Sequence, residues 1–365
     1  MRVLHVMWRM SIGGAERAVY QLIREQRAHG VEADLVVATE LGLYGERTRD
    51  IGAEVRVLAC RNTLDFRRSG ALEGIAAQYQ IVHHHGIEPL LMAATARART
   101  ARLVYTHRGG MRNLGPRKRL RLSLARPYLR RFAALSGNTH QSARVLAQLL
   151  RVSEEDVTVV PNGLDFELLA PVRPRIEVLE EFPDSARDAF LVGTASNLQP
   201  SKRVDFLLEA IAAWPNSNVH CVILGDGPAR ASLEQTTREL GLMDRVSFLG
   251  RKEHIGDYLQ LLDVFVLPSG PQEAFGNAAV EAMGVGIPTV VFADGGGLTE
   301  HVTDRSTGLV VRDSDRLAAA LAELAGNETL RRELGAGGRR YVRSTYSLDA
   351  MFERYSRLYD GILAM

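Results

Sequence analysis

Short β-branched runs alternate with helix-period stretches along the whole chain, and this alternation constrains the fold more than any other feature. β-Rich runs fall at residues 3–7, 35–38, 102–106 and 157–160, and again at 190–194, 219–224, 264–267 and 289–292. Between them lie stretches such as 15–28, where Ala18, Val19, Leu22 and Ile23 recur at helical spacing. Strands that alternate with helices are joined by crossovers, and crossovers leave neighbouring strands pointing the same way. The pattern therefore predicts α/β architecture, with parallel sheets covered by helices.

A chain of 365 residues exceeds one ordinary core, so two domains are expected. The second series of runs starts near Ala189, after Pro161-Asn162-Gly163 and a stretch at 170–188 rich in proline and charge. The expected division is residues 1–165, a linker at 166–188, and 189–347. Composition excludes a disordered or disulfide-built chain: 46% of residues are hydrophobic, 24% are charged, and Cys60 and Cys221 fall in different halves. Two cysteines fit a reducing cytoplasm. No apolar run approaches the roughly 18–20 residues needed to cross a bilayer, so neither export nor membrane spanning is expected.

The net charge of +2 conceals a division. Residues 1–165 carry 25 Lys and Arg against 15 Asp and Glu, whereas residues 166–365 carry 20 against 28. A basic first half is drawn to anionic surfaces. Neither zinc-finger spacing nor an RNA-binding aromatic signature is present, so nucleic acid is not an expected partner.

In α/β sheets ligands bind beyond the carboxyl ends of the strands, which directs attention to the strand-to-helix turns. Gly13-Gly14-Ala15-Glu16-Arg17 offers flexible backbone and a helix start that suits an anion, although the glycines also serve a plain tight turn. Gly225-Asp226-Gly227 lacks the third glycine of the dinucleotide fingerprint, Arg230 standing in its place, which argues against a nicotinamide enzyme. Ser196 to Arg203 leaves a strand with adjacent cations, Lys202 and Arg203, a point charge and a fork suited to a diphosphate. The most specific turn runs from Pro268 to Asn277 and places Glu273 in a loop, with Glu281 following after seven residues on the helix expected at 277–283. A loop carboxylate accepts sugar hydroxyls, a helix carboxylate accepts those of a ribose, and the helix start between them suits a phosphate. Gly295-Gly296-Gly297 follows the next strand and is expected to bring backbone near the same ligand.

Taken together, Gly13-Gly14-Ala15-Glu16-Arg17, the Pro200-to-Lys202 segment, Gly225-Asp226-Gly227-Pro228, residues 246–250, the Glu273/Glu281 pair and Gly308-Leu309-Val310 resemble the family-4 retaining glycosyltransferases of GT-B architecture. The resemblance spans nearly the whole chain. It implies two Rossmann-like domains facing a central cleft, with a final helix at 348–365 packing back on the first. It also implies that Glu273 holds donor-sugar hydroxyls, Glu281 the ribose, and Lys202 the diphosphate. Phe275, Gly276 and Asn277 correspond to main-chain contacts with sugar and phosphate, and Gly13 and Gly14 to the first-domain turn at the donor. Asn197 stands where the family commonly carries Arg, leaving open whether Arg203 supplies the missing cation. His107 resembles the family's active-site histidine near the reaction centre.

Other residues carry alternatives. Alternation sets His83 and His85 on one face of a strand and His84 on the other, so the pair suits either a metal or strand-end packing, and packing is preferred. Asp313-Ser314-Asp315 precedes a helical pattern at 316–324 and reads as a helix cap rather than a metal site. Residues 116–131 carry Arg117, Lys118, Arg119, Arg121, Arg126, Arg130 and Arg131 among leucines, with no acid. This segment suits either docking on anionic lipid or a core-packed helix with a solvated arginine face.

The sequence thus predicts a metal-independent, cofactor-free hexosyltransferase. Its donor is a nucleoside diphosphate sugar, foremost a UDP-sugar, and its acceptor a hydroxyl of a glycan, foremost a lipid-linked one, in bacterial surface polysaccharide or glycoconjugate synthesis. The catalytic set is His107, Lys202 and Glu273. The location expected is the cytoplasm or the inner membrane face. A nucleotide-sugar epimerase or hydrolase of the same architecture is the alternative.

Overall fold

The computed structural model describes residues 1–109, 116–214 and 218–365, without the side chains of 116–119. The chain forms two compact units, Met1–Leu164 with Tyr346–Met365, and Asp165–Thr345.

The first unit is built on seven strands: β1 (Arg2–Met7), β2 (Glu32–Val37), β3 (Val55–Val57), β4 (Ile81–His84), β5 (Arg102–His107), β6 (Ala134–Gly137) and β7 (Val157–Val159). All pair in parallel, in the order β3-β2-β1-β4-β5-β6-β7. The order reverses between β1 and β4. Helix Gly14–Ala28 covers one face through Ala18, Val19, Leu22 and Ile23, the residues whose spacing marked it as a helix.

Helix Leu348–Leu363 belongs to this unit. Ser347 caps it by accepting from the Ala350 amide, and Met351, Tyr355, Tyr359 and Ile362 bury one stripe against Val3, Ile81 and Val104. Large side chains buried this fully contribute about 1.5–3 kcal/mol each.

The second unit carries six strands: β8 (Phe190–Ala195), β9 (Val219–Leu224), β10 (Val246–Gly250), β11 (Val264–Leu267), β12 (Thr289–Phe292) and β13 (Leu309–Val311). They also pair in parallel, in the order β10-β9-β8-β11-β12-β13, reversing between β8 and β11. Central strand β11 is buried throughout, as expected of an all-apolar run covered on both faces. Helix Val204–Ala213 packs Leu207, Leu208 and Ile211 into the core beneath these strands.

Residues 166–188, expected as a linker, group with the second unit. Buried Asp257 accepts from the amides of Val172 and Arg173 and from Arg173 Nε, while Arg173, Lys252 and Tyr258 converge on Glu181. Asp313 caps helix Ser314–Gly326 by accepting from the Arg316 amide, as its spacing indicates.

Among the described residues no helix is long and apolar enough to cross a membrane.

Candidate functional site

Strand order reverses between β8 and β11, and the carboxyl ends of strands at such a reversal are where α/β sheets bind ligands. The turn after β8 carries Lys202 and the turn after β11 carries Glu273. Lys202 Nζ donates to Glu273 Oε2, and Gly270 N donates to Ser201 O at 3.0 Å, so the two turns are tied by side chain and backbone alike.

Burial works to raise the Glu273 carboxyl. The Lys202 charge, its hydrogen bond and that of the Ala274 amide outweigh it, holding the Glu273 carboxyl below its ordinary value and ionised. An anionic acceptor is therefore held ready beside a cation, a charge pair that can receive sugar hydroxyls and a phosphate together.

The loop holding Glu273 is braced from behind. Gly297 N donates to Glu273 O at 2.9 Å, and the Phe275 ring lies 4.4 Å from that of buried His301. Burial drives His301 down to about 4, and it stays neutral. Gly276 takes a left-handed conformation (φ 76°), and a Cβ there would meet Leu298 Cδ1 at 2.6 Å. Helix Asn277–Val285 starts directly after it. Thus the Gly295-Gly296-Gly297 turn braces the Glu273 loop, a role the sequence does not disclose. Phe275 is buried, and Glu281 lies on the helix at 3% exposure.

Asn197 is exposed after β8. Its carbonyl runs against Gly227, where a Cβ would approach it to 2.1 Å, and a Cβ on Gly225 (φ 115°) would lie 1.8 Å from Ser196 O. The Gly-Asp-Gly motif is therefore needed for the turns after β8 and β9 to touch.

Arg203, an expected donor-site residue whose part at the diphosphate the sequence leaves open, reaches across to neighbouring turns. Its guanidinium is committed to Pro268 O, Ser269 O and Asp294.

In the first unit, Gly13 is the extended N-cap of helix Gly14–Ala28, at the strand-order reversal. His107 ends β5, and its Nδ1 lies 3.0 Å from the Tyr105 hydroxyl.

The histidine run is explained by packing. His83 is in register with His5 on β1, and its nitrogens meet Tyr359 Oη at 2.7 Å and Thr106 Oγ1 at 2.6 Å. His5 bridges His85 Nε2 at 2.9 Å and Gln26 Oε1 at 2.8 Å. His84 faces the other way, 2.9 Å from Thr95 Oγ1. Nitrogens of His5, His83 and His85 come within 4.8 Å of one another, the spacing of a metal cluster. Hydrogen bonds nevertheless engage both nitrogens of His5 and His83. Sequence reasoning missed His5, because only strand pairing brings it to this group. A second group of possible ligands, Glu25, His29 and Asp349, lies at the surface.

The basic segment forms helix Pro116–Leu129. Arg117, Lys118 and Arg119 lie outside the described side chains. Arg121 pairs with buried Glu88, whose carboxyl burial pushes up to about 7 against the pull of Arg121. Arg126 and Arg130 donate to the carbonyls of Leu149 and Leu150 at the end of helix His140–Leu150. Among the described cations, Arg121, Arg126 and Arg130 are thus used internally, while Leu120 and Leu124 are 63% and 52% exposed.

Comparison with known proteins follows this division. The family model described as Glycosyltransferase Family 4 matches residues 12–168, and that described as Glycosyl transferases group 1 matches residues 177–341. The putative glycosyltransferase EpsF of Bacillus subtilis is 28% identical over 94% of this chain and 91% of its own. The lipopolysaccharide core biosynthesis glycosyltransferase LpsD of Rhizobium meliloti is 34% identical, over 57% of this chain and 58% of its own. Crystal structures of Anabaena HepE share the fold: the complex with UDP has a TM-score of 0.87 at 21% identity, covering 99% of this chain and 100% of that one. The UDP-glucose complex has a TM-score of 0.86 at 22% identity over the same shares.

Proposed function

The chain belongs to the family-4 glycosyltransferases of GT-B architecture, and from that premise we propose that it transfers a hexosyl unit from a UDP-sugar to a hydroxyl acceptor, with retention at the anomeric carbon. One observation carries the reading: the Lys202–Glu273 pair at the strand-order reversal of the second unit.

Departure of the nucleoside diphosphate concentrates charge on its phosphates. In this reading Lys202 and the amides at the start of helix Asn277–Val285 stabilise that charge, at fixed positions that need no reorganisation. Glu273 accepts the sugar hydroxyls, Glu281 the ribose, and the main chain of Phe275, Gly276 and Asn277 completes the donor site. Asn197 and the Gly13-Gly14 turn are assigned contacts with the donor, and His107 a role at the transferred sugar. No divalent ion takes part.

The UDP and UDP-glucose complexes of HepE support the choice of nucleotide. The name of LpsD, a lipopolysaccharide core biosynthesis glycosyltransferase, supports a lipid-linked glycan acceptor in surface polysaccharide or glycoconjugate synthesis, a reaction we assign to the inner membrane face.

The test is thermal stabilisation by UDP-, GDP- and ADP-sugars, since a ligand that binds only the folded state raises the melting point with its concentration. UDP-sugars are expected to stabilise most. Anomeric proton couplings of the product then report retention, and unchanged turnover in EDTA reports metal independence. Failure of every activated sugar to stabilise the protein refutes the reading.

A further inference from the structure

We propose that Arg203 is a positioning residue: together with Asp294 it fixes the loop that presents Glu273. This rests on the donor site described above and deepens it.

Arg203 lies between the Pro200–Lys202 turn and helix Val204–Ala213, in a left-handed conformation at φ 49° and ψ 41°. A side chain there costs about 1–2 kcal/mol relative to glycine, so backbone conformation alone favours glycine. What the side chain contributes instead is reach. Nε donates to Pro268 O at 2.9 Å and Nη2 to Ser269 O at 2.9 Å, both on the loop after β11. Nη1 and Nη2 donate to the Asp294 carboxylate at 2.9 and 2.6 Å, in the turn after β12. The guanidinium also lies 5.2 and 5.1 Å from the ring centroids of Phe206 and Phe292.

Three strand-end turns, after β8, β11 and β12, are thereby joined through one side chain. Gly270 leaves room for it, since a Cβ there would lie 3.3 Å from Arg203 Nε. These four bonds use four of the guanidinium's five N–H groups. The one remaining cannot form the two-pronged contact that makes arginine a strong phosphate ligand. Arg203 therefore does not replace the cation missing at Asn197. It acts through Glu273.

The two roles predict opposite results. If Asp294 merely restrained a phosphate-binding arginine, Asp294→Ala would release it and tighten nucleotide binding. As a strut, the same change loosens the Glu273 loop and weakens contacts to the sugar while sparing those to UDP.

The experiment is calorimetric titration of wild type, Asp294→Ala, Arg203→Gly and the double variant with UDP and with UDP-glucose. Amide exchange of residues 268–277 is followed alongside. Arg203→Gly suits the local backbone and preserves the fold. Each single variant is expected to weaken UDP-glucose about tenfold, near 1.4 kcal/mol. UDP should change less than about twofold, and the double variant should be no worse than either single one. Exchange in 268–277 should accelerate, with helix Ser314–Gly326 unaffected. Tighter or unchanged UDP-glucose binding in Asp294→Ala, equal losses for UDP and UDP-glucose, or unaltered exchange overturns the proposal. Wild type that binds no UDP-, GDP- or ADP-sugar refutes the donor reading instead, and the exchange result alone then decides whether Arg203 holds the loop.

Discussion

Lys202 and Glu273 stand 71 residues apart in sequence and share a hydrogen-bonded ion pair that joins the turns after β8 and β11. Neither side chain is fully in water, at 20% and 10% exposure, so each depends on the other for its charge to be tolerated.

Removing one partner should strand the other. Glu273→Gln and Lys202→Met are each expected to lower transfer at least a hundredfold and to cost about 1–3 kcal/mol of stability. The double variant should regain part of that stability and no activity. Urea denaturation beside initial-rate assays measures both, and full stability recovery with wild-type turnover in any variant contradicts the assignment.

Acid should destabilise the protein in a definite window. Burial lowers His5 to about 4 and His84 to about 3, and takes His83 and His85 well below their ordinary value of 6.5. The folded state keeps these rings neutral, whereas the unfolded chain takes up protons below pH 6.5. Their contribution is complete above that pH and falls as the pH drops toward 4, by up to about 1.4 kcal/mol per pH unit for each ring. Unfolding free energies from pH 7.5 to 4.5 test this, and a flat profile below 6.5 would count against the buried network.

Two glycines with positive φ separate crowding from conformation. Gly241 (φ 68°) has nothing within 4 Å of a built Cβ, whereas at Gly225 (φ 115°) that atom would lie 1.8 Å from Ser196 O. Gly241→Ala should cost about 1–2 kcal/mol from backbone conformation alone. Gly225→Ala should cost clearly more and weaken donor binding, because the turn after β8 must move. Equal melting points for the two variants would contradict the close packing of these turns.

Binding to anionic vesicles is expected to depend on Arg117, Lys118 and Arg119. Changing all three to Glu should abolish co-sedimentation with phosphatidylglycerol vesicles while leaving the melting point within a few degrees. Arg121→Glu should instead destabilise the fold, since it faces the buried Glu88 carboxyl. Undiminished sedimentation of the triple variant discards membrane docking through this helix.

Removing Asp257 should loosen the second unit. Asp257→Ala leaves the amides of Val172 and Arg173 without their acceptor, at an expected cost of about 2–4 kcal/mol. Proteolysis within residues 165–188 should accelerate in the variant, and unchanged cleavage there would show that this carboxylate does not anchor the segment.

Much of this organisation was legible before any coordinates. Runs such as 219–224 and 264–267 match β9 and β11 residue for residue, because strands covered on both faces are mostly apolar, His220 being the one polar residue in these two. Lys202 and Glu273 were visible as polar residues leaving such strands, and Asp313 as a cap. These are local signals, carried by the chemistry of neighbours in sequence.

Partnership was not legible. His5 meets His83 because β1 lies beside β4, and Arg203 reaches Asp294 because β8, β11 and β12 are consecutive in the sheet. Crossover connections put these strands side by side at sequence separations that no local pattern records. The amino-acid order determined which segments become strands and which residues emerge at their carboxyl ends. Only the folded sheets decided whether an emerging cation meets a carboxylate, a backbone carbonyl or a ligand, since a few ångströms of loop packing settle where its charge is spent.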